Sequence, residues 1–329
     1  MKKWGEYSVP LVTVRCLTYN HEKYISQALD GFLMQETDFP FEILIHDDAS
    51  PDGTADIIRD YEKKYPNIIK AFYQTENQHS QKNGVIGRLL REYTRGKYIA
   101  TCEGDDCWAS PVKLQSQISY MEAHPECALC FHAVNYVRDG EIVKNDQITD
   151  KECDISTEQI IEGGGLFCAT ASCCYKTKDR SHHTNYRRMA DVGDYPLQVM
   201  LATLGTVHYF PDVWGVYRID VPGSWSQRVR SNETQIKHWH TEIAWLDEFN
   251  KETEYKYNDS VLTRTNYYYM TLYRLGEKGA VKEAQRRIKQ LSNREKMKRL
   301  RWRNIKSIII IKFPLVSKVK AKLNNALRG

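Results

Sequence analysis

The amino-acid sequence predicts an α/β protein with a mixed, mainly parallel sheet flanked by helices and a C-terminal helical extension. Over the first 135 residues, short β-rich runs alternate with helical periodicities, a pattern typical of βαβ units. Three of the four strands predicted there end in polar or acidic residues, and parallel sheets bind ligands beyond the carboxyl ends of their strands. From residue 238 onward the pattern is mainly helical. We therefore expect one α/β domain over residues 1–230 and a helical region over residues 231–329.

The predicted strands of the first half are short and apolar, and they cover residues 11–17, 41–45, 68–73 and 98–102. Between them, apolar residues recur every three or four positions, as Ile25, Leu29 and Phe32 do on one face of the first helix. The second helix ends before Pro66 and the third at Gly96, because proline and glycine interrupt helices. Such strand–helix–strand units build parallel sheets with right-handed crossovers.

The second half of the predicted domain is less regular. Residues 155–165 are expected to form a loop-rich excursion around a short helix. An amphipathic helix begins at Asp194, with Pro196 tolerated in its first turn because the N–H that proline lacks has no helical partner there. Residues 207–217 are predicted as two short strands separated by Pro211 and Asp212.

The composition is that of an ordinary globular protein, with 41% hydrophobic and 27% charged residues. Nine cysteines at irregular spacing, without a secretory leader, predict a reducing, cytoplasmic compartment rather than a disulfide framework. Cys127 and Cys130 have the spacing of half a zinc site, but they lie in an apolar run without a second pair at zinc-finger distance. We interpret them as buried strand cysteines.

The C-terminal part of the chain is strongly basic, with 16 Lys and Arg against two Glu from Lys282 to Arg328. Residues 297–323 combine basic residues with a short apolar run, far below the ~20 residues needed to span a bilayer. This pattern predicts either a peripheral helix on an anionic membrane surface, at the inner face of the cell membrane, or a packed helix with a solvated basic face. Nucleic-acid binding is disfavoured because the basic residues are not interleaved with stacking platforms.

An acidic cluster follows the fourth strand, where Glu103, Asp105 and Asp106 stand almost side by side. Crowded carboxylates repel one another unless a cation neutralises them. A hard divalent ion such as Mg²⁺ or Mn²⁺ prefers oxygen ligands. The sequence therefore predicts a metal site at Asp105 and Asp106. The alternative is a solvated acidic turn in front of the next helix.

Two further strand ends carry polar groups that suit a nucleotide. Tyr19 offers a ring that can stack on a base, and Asp48 a carboxylate that can accept from a base N–H, a combination suited to uracil or thymine. The alternative interpretation of Asp48 is a plain strand-to-turn signal, with Asp52 as the cap of the following helix. Asp191 and Asp194 precede or begin a later helix. There a carboxylate either caps the helix or acts as a general base toward an acceptor hydroxyl.

Taken in order, these motifs resemble the family 2 glycosyltransferases of the GT-A fold, inverting enzymes that include bacterial polysaccharide and O-antigen transferases. The resemblance covers about residues 9–225. It rests on Thr18-Tyr19-Asn20, Asp47-Asp48-Ala49-Ser50-Pro51-Asp52-Gly53-Thr54, Gly104-Asp105-Asp106-Cys107-Trp108 with Pro111, Lys113 and Leu114, Gly193-Asp194-Tyr195, and Val216-Tyr217-Arg218 with Gly223-Ser224-Trp225-Ser226.

The resemblance implies a role for each matching residue. Asp194 would be the catalytic base. Asp105 and Asp106 would form the acidic motif that binds the metal and the ribose. The nucleotide sugar would contact Thr18, Tyr19, Asn20, Glu22, Asp48 and Asp105. Three positions depart from the family pattern. Glu103 opens the acidic motif in place of aspartate, and Gly193 replaces an acid. Asp220 stands where many relatives carry a histidine. The resemblance therefore leaves two possibilities for the third protein ligand of the metal, Asp220 or none.

The function implied is transfer of a sugar, with inversion, from a UDP- or dTDP-linked donor to a hydroxyl of a saccharide or lipid-linked saccharide in surface polysaccharide synthesis. Two alternatives remain. One is a catalytically inactive nucleotide- or sugar-binding module. The other is a sugar nucleotidyltransferase, which is disfavoured because such enzymes carry a glycine-rich loop after strand one, and here no glycine occurs between that strand and Gly31.

Overall fold

The computed structural model describes residues 9–81, 83–182, 184–222, 224, 227, 229 and 231–291. The chain divides into two compact units. The first comprises Met1–His183 and Val192–Val229, and the second comprises Thr184–Asp191 and Arg230–Gly329. The basic residues 297–323, together with Gly223, Trp225 and Ser226 of the last motif, lie outside the described residues.

The first unit is built on one mixed sheet. Its strands are β1 (Val12–Thr18), β2 (Phe41–Asp47), β3 (Ile69–Tyr73), β4 (Tyr98–Thr101), β5 (Cys107–Trp108), β6 (Cys127–Arg138), β7 (Glu141–Asn145), β8 (Cys153–Ile155), β9 (Cys174–Lys176) and β10 (Thr206–Arg218). The strand order is β3-β2-β1-β4-β9-β6-β10-β5, with β7 paired to β6 and β8 to β10. Strands β3, β2, β1 and β4 are mutually parallel, whereas β9 pairs antiparallel with both of its neighbours. The predicted mainly parallel, mixed sheet is confirmed.

Helices flank the sheet and make up most of the described part of the second unit. They are α1 (Ile25–Leu33), α2 (Thr54–Lys64), α3 (Gln78–Gln81), α4 (Val85–Tyr93), α5 (Lys113–Ala123), α6 (Thr157–Gly163), α7 (Asn185–Met189), α8 (Asp194–Leu204), α9 (Asn232–Glu252), α10 (Asn258–Arg274) and α11 (Ala280–Gln290). Each helix in the described part of the chain is too short or too polar to span a bilayer.

The main core lies between the sheet and its helices. Ile25, Leu29 and Phe32 are fully buried on α1, as their spacing predicts. Alternate residues of β1, beginning with Val12 and Val14, bury the opposite side of the same core. The two cysteines of the Cys-x-x-Cys pair are buried in β6 and free, so the interpretation as strand cysteines is confirmed.

One strand prediction was wrong. Residues 207–217 were expected as two strands divided at Pro211 and Asp212, but the structure has one strand, β10, across the whole stretch. The pairing of β10 with β6 shifts register between Phe210 and Val213. Proline cannot donate to a ladder, and a local bulge accommodates it without ending the strand.

A close backbone contact of α1 gives the first testable prediction. A Cβ added to Gly31 would lie 2.7 Å from the Trp108 carbonyl oxygen and 3.0 Å from its backbone nitrogen. We expect Gly31→Ala to destabilise the fold by about 1–3 kcal/mol, because neither backbone can yield cheaply. Thermal unfolding should then show a Tm lowered by roughly 2–4 °C per kcal/mol.

Gly87 provides the matched control for that substitution. It also lies in a helix, α4, but nothing is within 4 Å of an added Cβ. Gly87→Ala should therefore stabilise the protein by about 0.5–1 kcal/mol, since alanine loses less backbone entropy in a helix. A Tm for Gly31→Ala equal to or above that of the Gly87 variant would contradict the contact.

The second unit has a core of its own. Trp245, Leu246 and Phe249 of α9 are fully buried. The buried carboxylate of Glu242 accepts hydrogen bonds from the Trp245 indole at 2.9 Å and from the Tyr268 hydroxyl at 3.2 Å. A buried carboxylate needs such partners. The Trp245 bond lies within α9, and the Tyr268 bond joins α9 to α10.

Candidate active site

The carboxyl ends of β2, β1 and β4 lie side by side in the first unit. Two backbone hydrogen bonds join the end of β1 to the segments that follow β2 and β4. The Asp48 N–H donates to the Thr18 carbonyl at 3.0 Å, and the Gly104 N–H donates to the Leu17 carbonyl at 2.9 Å. The polar clusters predicted at three strand ends therefore meet at one edge of the sheet.

Gly104 lets the acidic loop pass close to the end of β1. An added Cβ would lie 2.7 Å from the Thr18 hydroxyl oxygen and 2.9 Å from His21 Nδ1. The contact explains the glycine within the acidic motif, because no larger residue fits without moving Thr18 or His21. It also shows that Thr18 packs against Gly104, between the acidic residues.

Glu103, Asp105 and Asp106 form one compact group of acids. Each offers a carboxylate oxygen, and these three oxygens lie within 4.8 Å of one another. Asp105 and Asp106 are buried. The pKa of Asp106 is raised well above its usual range, mainly by burial and secondly by the negative charge of Asp105. The sequence leaves Glu103 without a definite role. In the structure, its carboxylate lies with those of Asp105 and Asp106 and completes the group.

Arg218, at the end of β10, holds this group from one side. Its backbone N–H donates to Asp106 Oδ1 at 2.8 Å, and its guanidinium donates to the Asp105 carbonyl at 2.5 Å. Asp106 Oδ2 is buried and has no hydrogen-bond partner. In the hydrogen bonds of the described residues, the Arg218 guanidinium binds a backbone carbonyl and not one of the three carboxylates. Buried carboxylates with an unused oxygen are the ligands that Mg²⁺ and Mn²⁺ prefer, and the site fits such an ion.

Asp220 does not belong to this acidic group. Its carboxylate forms an ion pair with Arg138 Nε at 2.8 Å, and its backbone has a left-handed φ of 62°. The three acids brought together at the candidate metal site are Glu103, Asp105 and Asp106. An imidazole lies beside the group, since His21 Nε2 is 3.7 Å from Asp105 Oδ2. Burial lowers the pKa of His21, which favours its neutral form.

The loops after β1 and β2 are tied together by reciprocal hydrogen bonds. The Glu22 N–H donates to Asp52 at 3.1 Å, and the Glu22 carboxylate accepts from the Gly53 N–H at 3.2 Å. Asp52 also accepts from the N–H and hydroxyl of Thr54, the first residue of α2. The N-cap position itself is Gly53, which makes no side-chain cap bond, so Asp52 binds the helix start from one position before the predicted cap.

A second bond crosses between the same loops, where the Asn20 N–H donates to the Ser50 hydroxyl at 2.9 Å. Asn20 adopts a left-handed φ of 62°, a conformation that asparagine tolerates better than most residues. The preceding residue, Tyr19, is 38% exposed. The ring that the sequence assigns to a base is thus presented to solvent from an anchored loop.

The Asp48 carboxylate has protein partners in this structure. It accepts from the backbone N–H groups of Gln78 at 2.7 Å and His79 at 3.0 Å. Both donors belong to the start of the short helix α3. The bonds fix the segment after β3 above the end of β2, a contact that sequence spacing does not reveal.

Asp194 is the first residue of α8. Its Oδ2 accepts a hydrogen bond from the Thr170 hydroxyl at 2.9 Å. Burial raises the pKa of Asp194, and the Thr170 bond and Arg180 oppose that rise. Asp191, the other acid of this region, is exposed and groups with the second unit. Thr170 lies in the irregular region after α6, and the sequence carries no signal for it.

Comparison with known proteins connects this geometry to a family. The model of "Glycosyl transferase family 2" matches residues 14–181, which include the ends of β1, β2 and β4. The chain belongs to glycosyl transferase family 2. A curated relative, the uncharacterized protein Rv1520 of Mycobacterium tuberculosis, is 32% identical over 233 residues. The match covers 70% of this chain and 64% of the relative, so this chain spans less than two thirds of that protein.

Solved structures share the fold of this family 2 chain. TarS 1–349 of S. aureus, in complex with UDP-GlcNAc, aligns with a TM-score of 0.60 at 17% identity, over 82% of this chain and 75% of that one. The mannosyltransferase PcManGT of Pyrobaculum calidifontis, in complex with GDP-Man and Mn²⁺, aligns with a TM-score of 0.51 at 16% identity, over 89% and 84%. At this identity the likeness concerns the fold alone, and it confirms the predicted GT-A class.

Proposed function

We propose that this chain is an inverting, metal-dependent glycosyltransferase. It would transfer a sugar from a UDP- or dTDP-linked donor to a hydroxyl of a saccharide or lipid-linked saccharide in surface polysaccharide synthesis. The observation that carries the proposal is the acidic group at the end of β4. It combines buried Asp105 and Asp106 with Glu103 and leaves Asp106 Oδ2 without a partner. Such a group suits a divalent cation that binds a diphosphate.

The donor would lie along the shared edge of β1, β2 and β4. Tyr19 would stack on the base, and Asp48 would bind the base edge, exchanging one of its bonds to α3. Thr18, Asn20 and Glu22 would shape the loop beneath the nucleotide. Asp105 would contact the ribose, with Asp105 and Asp106 as the metal ligands and Glu103 beside them. The nucleotide sugars bound by TarS and PcManGT support this class of donor.

The reaction would be a single in-line displacement. Asp194 would take the proton from the acceptor hydroxyl, whose oxygen attacks the anomeric carbon while the bond from that carbon to the diphosphate oxygen breaks. Attack from the opposite face inverts the anomeric configuration. A divalent cation, when bound, supplies charge neutralisation at the leaving diphosphate. The pKa of Asp194, raised by burial, suits a general base because such a carboxylate holds a proton more firmly than an exposed one.

The acceptor and the cellular location belong to the same proposal. The order of motifs resembles that of bacterial polysaccharide and O-antigen transferases, which supports a saccharide acceptor. A lipid-linked acceptor would fit a cytoplasmic protein held on the inner face of the membrane by the basic residues 297–323. Those residues lie outside the described part of the chain, so this part of the proposal rests on their composition.

A donor panel tests the proposal. The purified chain is incubated with UDP-, dTDP- and GDP-sugars and with saccharide acceptors, and release of nucleoside diphosphate is measured together with the product mass. We expect turnover with Mn²⁺ or Mg²⁺, loss of turnover with EDTA and recovery when the metal is restored. Metal-independent turnover would contradict the metal site. Binding of a donor without any turnover would indicate an inactive module, and release of pyrophosphate would indicate a nucleotidyltransferase.

A further inference from the structure

The short 3₁₀ helix Thr170–Ser172 is fixed at each of its three carbonyl groups. Each carbonyl oxygen accepts a hydrogen bond from a side chain, and the three donor side chains belong to three different secondary-structure elements of the first unit. The donors are Thr101 of β4 to Thr170 at 2.7 Å, Trp108 of β5 to Ala171 at 2.8 Å, and Gln117 of α5 to Ser172 at 2.9 Å. Three bonds of this kind, each to a separate element, leave the segment little freedom to move.

The side chain of Lys113 fixes the third of these bonds. Lys113 is fully buried, and its ammonium group donates to Gln117 Oε1 at 2.7 Å. Because Lys113 can only donate, the Gln117 amide must turn its oxygen toward it and its nitrogen toward Ser172. The same ammonium lies 4.1 Å from the centroid of the Trp108 ring. Lys113 therefore fixes the orientation of one donor and contacts another.

The fixed segment carries the hydroxyl that reaches Asp194. Thr170 Oγ1 donates to Asp194 Oδ2 at 2.9 Å, while the carbonyl of the same residue is held by Thr101. Thr101 ends β4, two residues before the acidic group begins. Two hydrogen bonds through one residue thus connect the strand that bears the acids to the carboxylate at the start of α8.

We propose that Thr170 is a positioning residue for Asp194. The segment Thr170–Ser172 would hold this carboxylate at a fixed position relative to the acids after β4. The inference rests on the proposed role of Asp194 as the base. A threonine hydroxyl that donates to one carboxylate oxygen leaves the other oxygen to receive a proton. It also limits rotation of the carboxylate, so that the basic lone pair keeps one direction.

The hydroxyl acts on the carboxylate in a second way. A hydrogen bond to the ionised form lowers the pKa of a carboxyl group, and the Thr170 bond acts in this direction on Asp194. Removing the hydroxyl should therefore raise the proton affinity of Asp194 by roughly tenfold. Serine, which retains the hydroxyl, should restore most of the effect.

The experiment compares kcat against pH for the full chain and its variants, with the metal and donor that support turnover. For Thr170→Val we expect the acidic limb of the profile to move to higher pH, the plateau kcat to fall roughly tenfold, and KM for the donor to change less than about twofold. For Thr170→Ser we expect the position of the acidic limb and the plateau kcat to be close to those of the unmodified protein.

Thr177→Val is the matched control. Thr177 also lies in a 3₁₀ helix, and its hydroxyl donates to a backbone carbonyl, that of Gly96, at 2.6 Å. In the described part of the chain this hydroxyl makes no hydrogen bond to Asp194, unlike that of Thr170. If Thr177→Val moved the limb as far as Thr170→Val, or if Thr170→Val left it unmoved, the positioning role would be overturned. Absence of turnover by the unmodified chain would count against the proposed function instead, so the two failures are distinguishable.

Discussion

The substitution Asp194→Asn is expected to reduce the transfer rate by roughly a hundredfold to ten-thousandfold, the range that general bases contribute. Asparagine keeps the shape of the side chain and can still accept from Thr170 Oγ1, which lies 2.9 Å from the carboxylate. Only proton acceptance is lost. Binding of the nucleoside diphosphate with Mn²⁺, measured by calorimetry, should stay close to that of the unmodified protein.

Asp191→Asn is the control for this prediction. Asp191 is an acid three positions away, but it is exposed, lies outside α8 and groups with the second unit. Its substitution should leave transfer nearly unchanged. Near-normal transfer by Asp194→Asn together with a large loss in Asp191→Asn would assign the base to Asp191 and refute the present assignment.

The pH dependence of transfer follows from the same carboxylate. Asp194 must be ionised to accept a proton, and burial raises its pKa above the usual value of an aspartate. The rate should therefore fall as the pH is lowered through this raised pKa. The fall should begin at a higher pH than an exposed aspartate would cause.

The second large effect is expected at the acidic group. Asp106→Asn should weaken binding of the nucleoside diphosphate at saturating Mn²⁺ by roughly tenfold to a hundredfold, since one charged ligand can supply about 1.5–3 kcal/mol. The asparagine oxygen can still accept from the Arg218 N–H, which keeps the loop in place. With EDTA the variant and the unmodified protein should bind the nucleotide equally weakly.

Asp106→Asn should stabilise the metal-free fold, although the same substitution weakens nucleotide binding. Burial and the charge of Asp105 raise the pKa of Asp106, so the ionised side chain opposes folding when no cation is bound. The metal-free Asp106→Asn variant should therefore melt roughly 2–4 °C higher. Added Mn²⁺ should raise the Tm of the unmodified protein more than that of the variant. A variant that melts lower and still responds fully to Mn²⁺ would refute the metal site.

The location of the site was predictable from the sequence, but its inner contacts were not. Alternation of strands and helices places the ends of β1, β2 and β4 at one edge, because parallel strands share a direction. The acids and Tyr19 follow those ends directly in the chain. By contrast, Asp106 and Arg218 are 112 positions apart, and Thr170 and Asp194 are 24 apart. No local periodicity records such pairs, because they arise only when separate elements pack.

The first unit's sheet, its flanking helices and the acids at the end of β4 were determined by the sequence itself, through periodicity and through the residues that terminate each strand. The tertiary structure alone decided which carboxylates act together. It added Glu103 to Asp105 and Asp106, and it paired Asp220 with Arg138 away from that group. The physical reason is that the charge and hydrogen-bond partners of a buried carboxylate are set by whatever packs against it, and those neighbours come from distant parts of the chain.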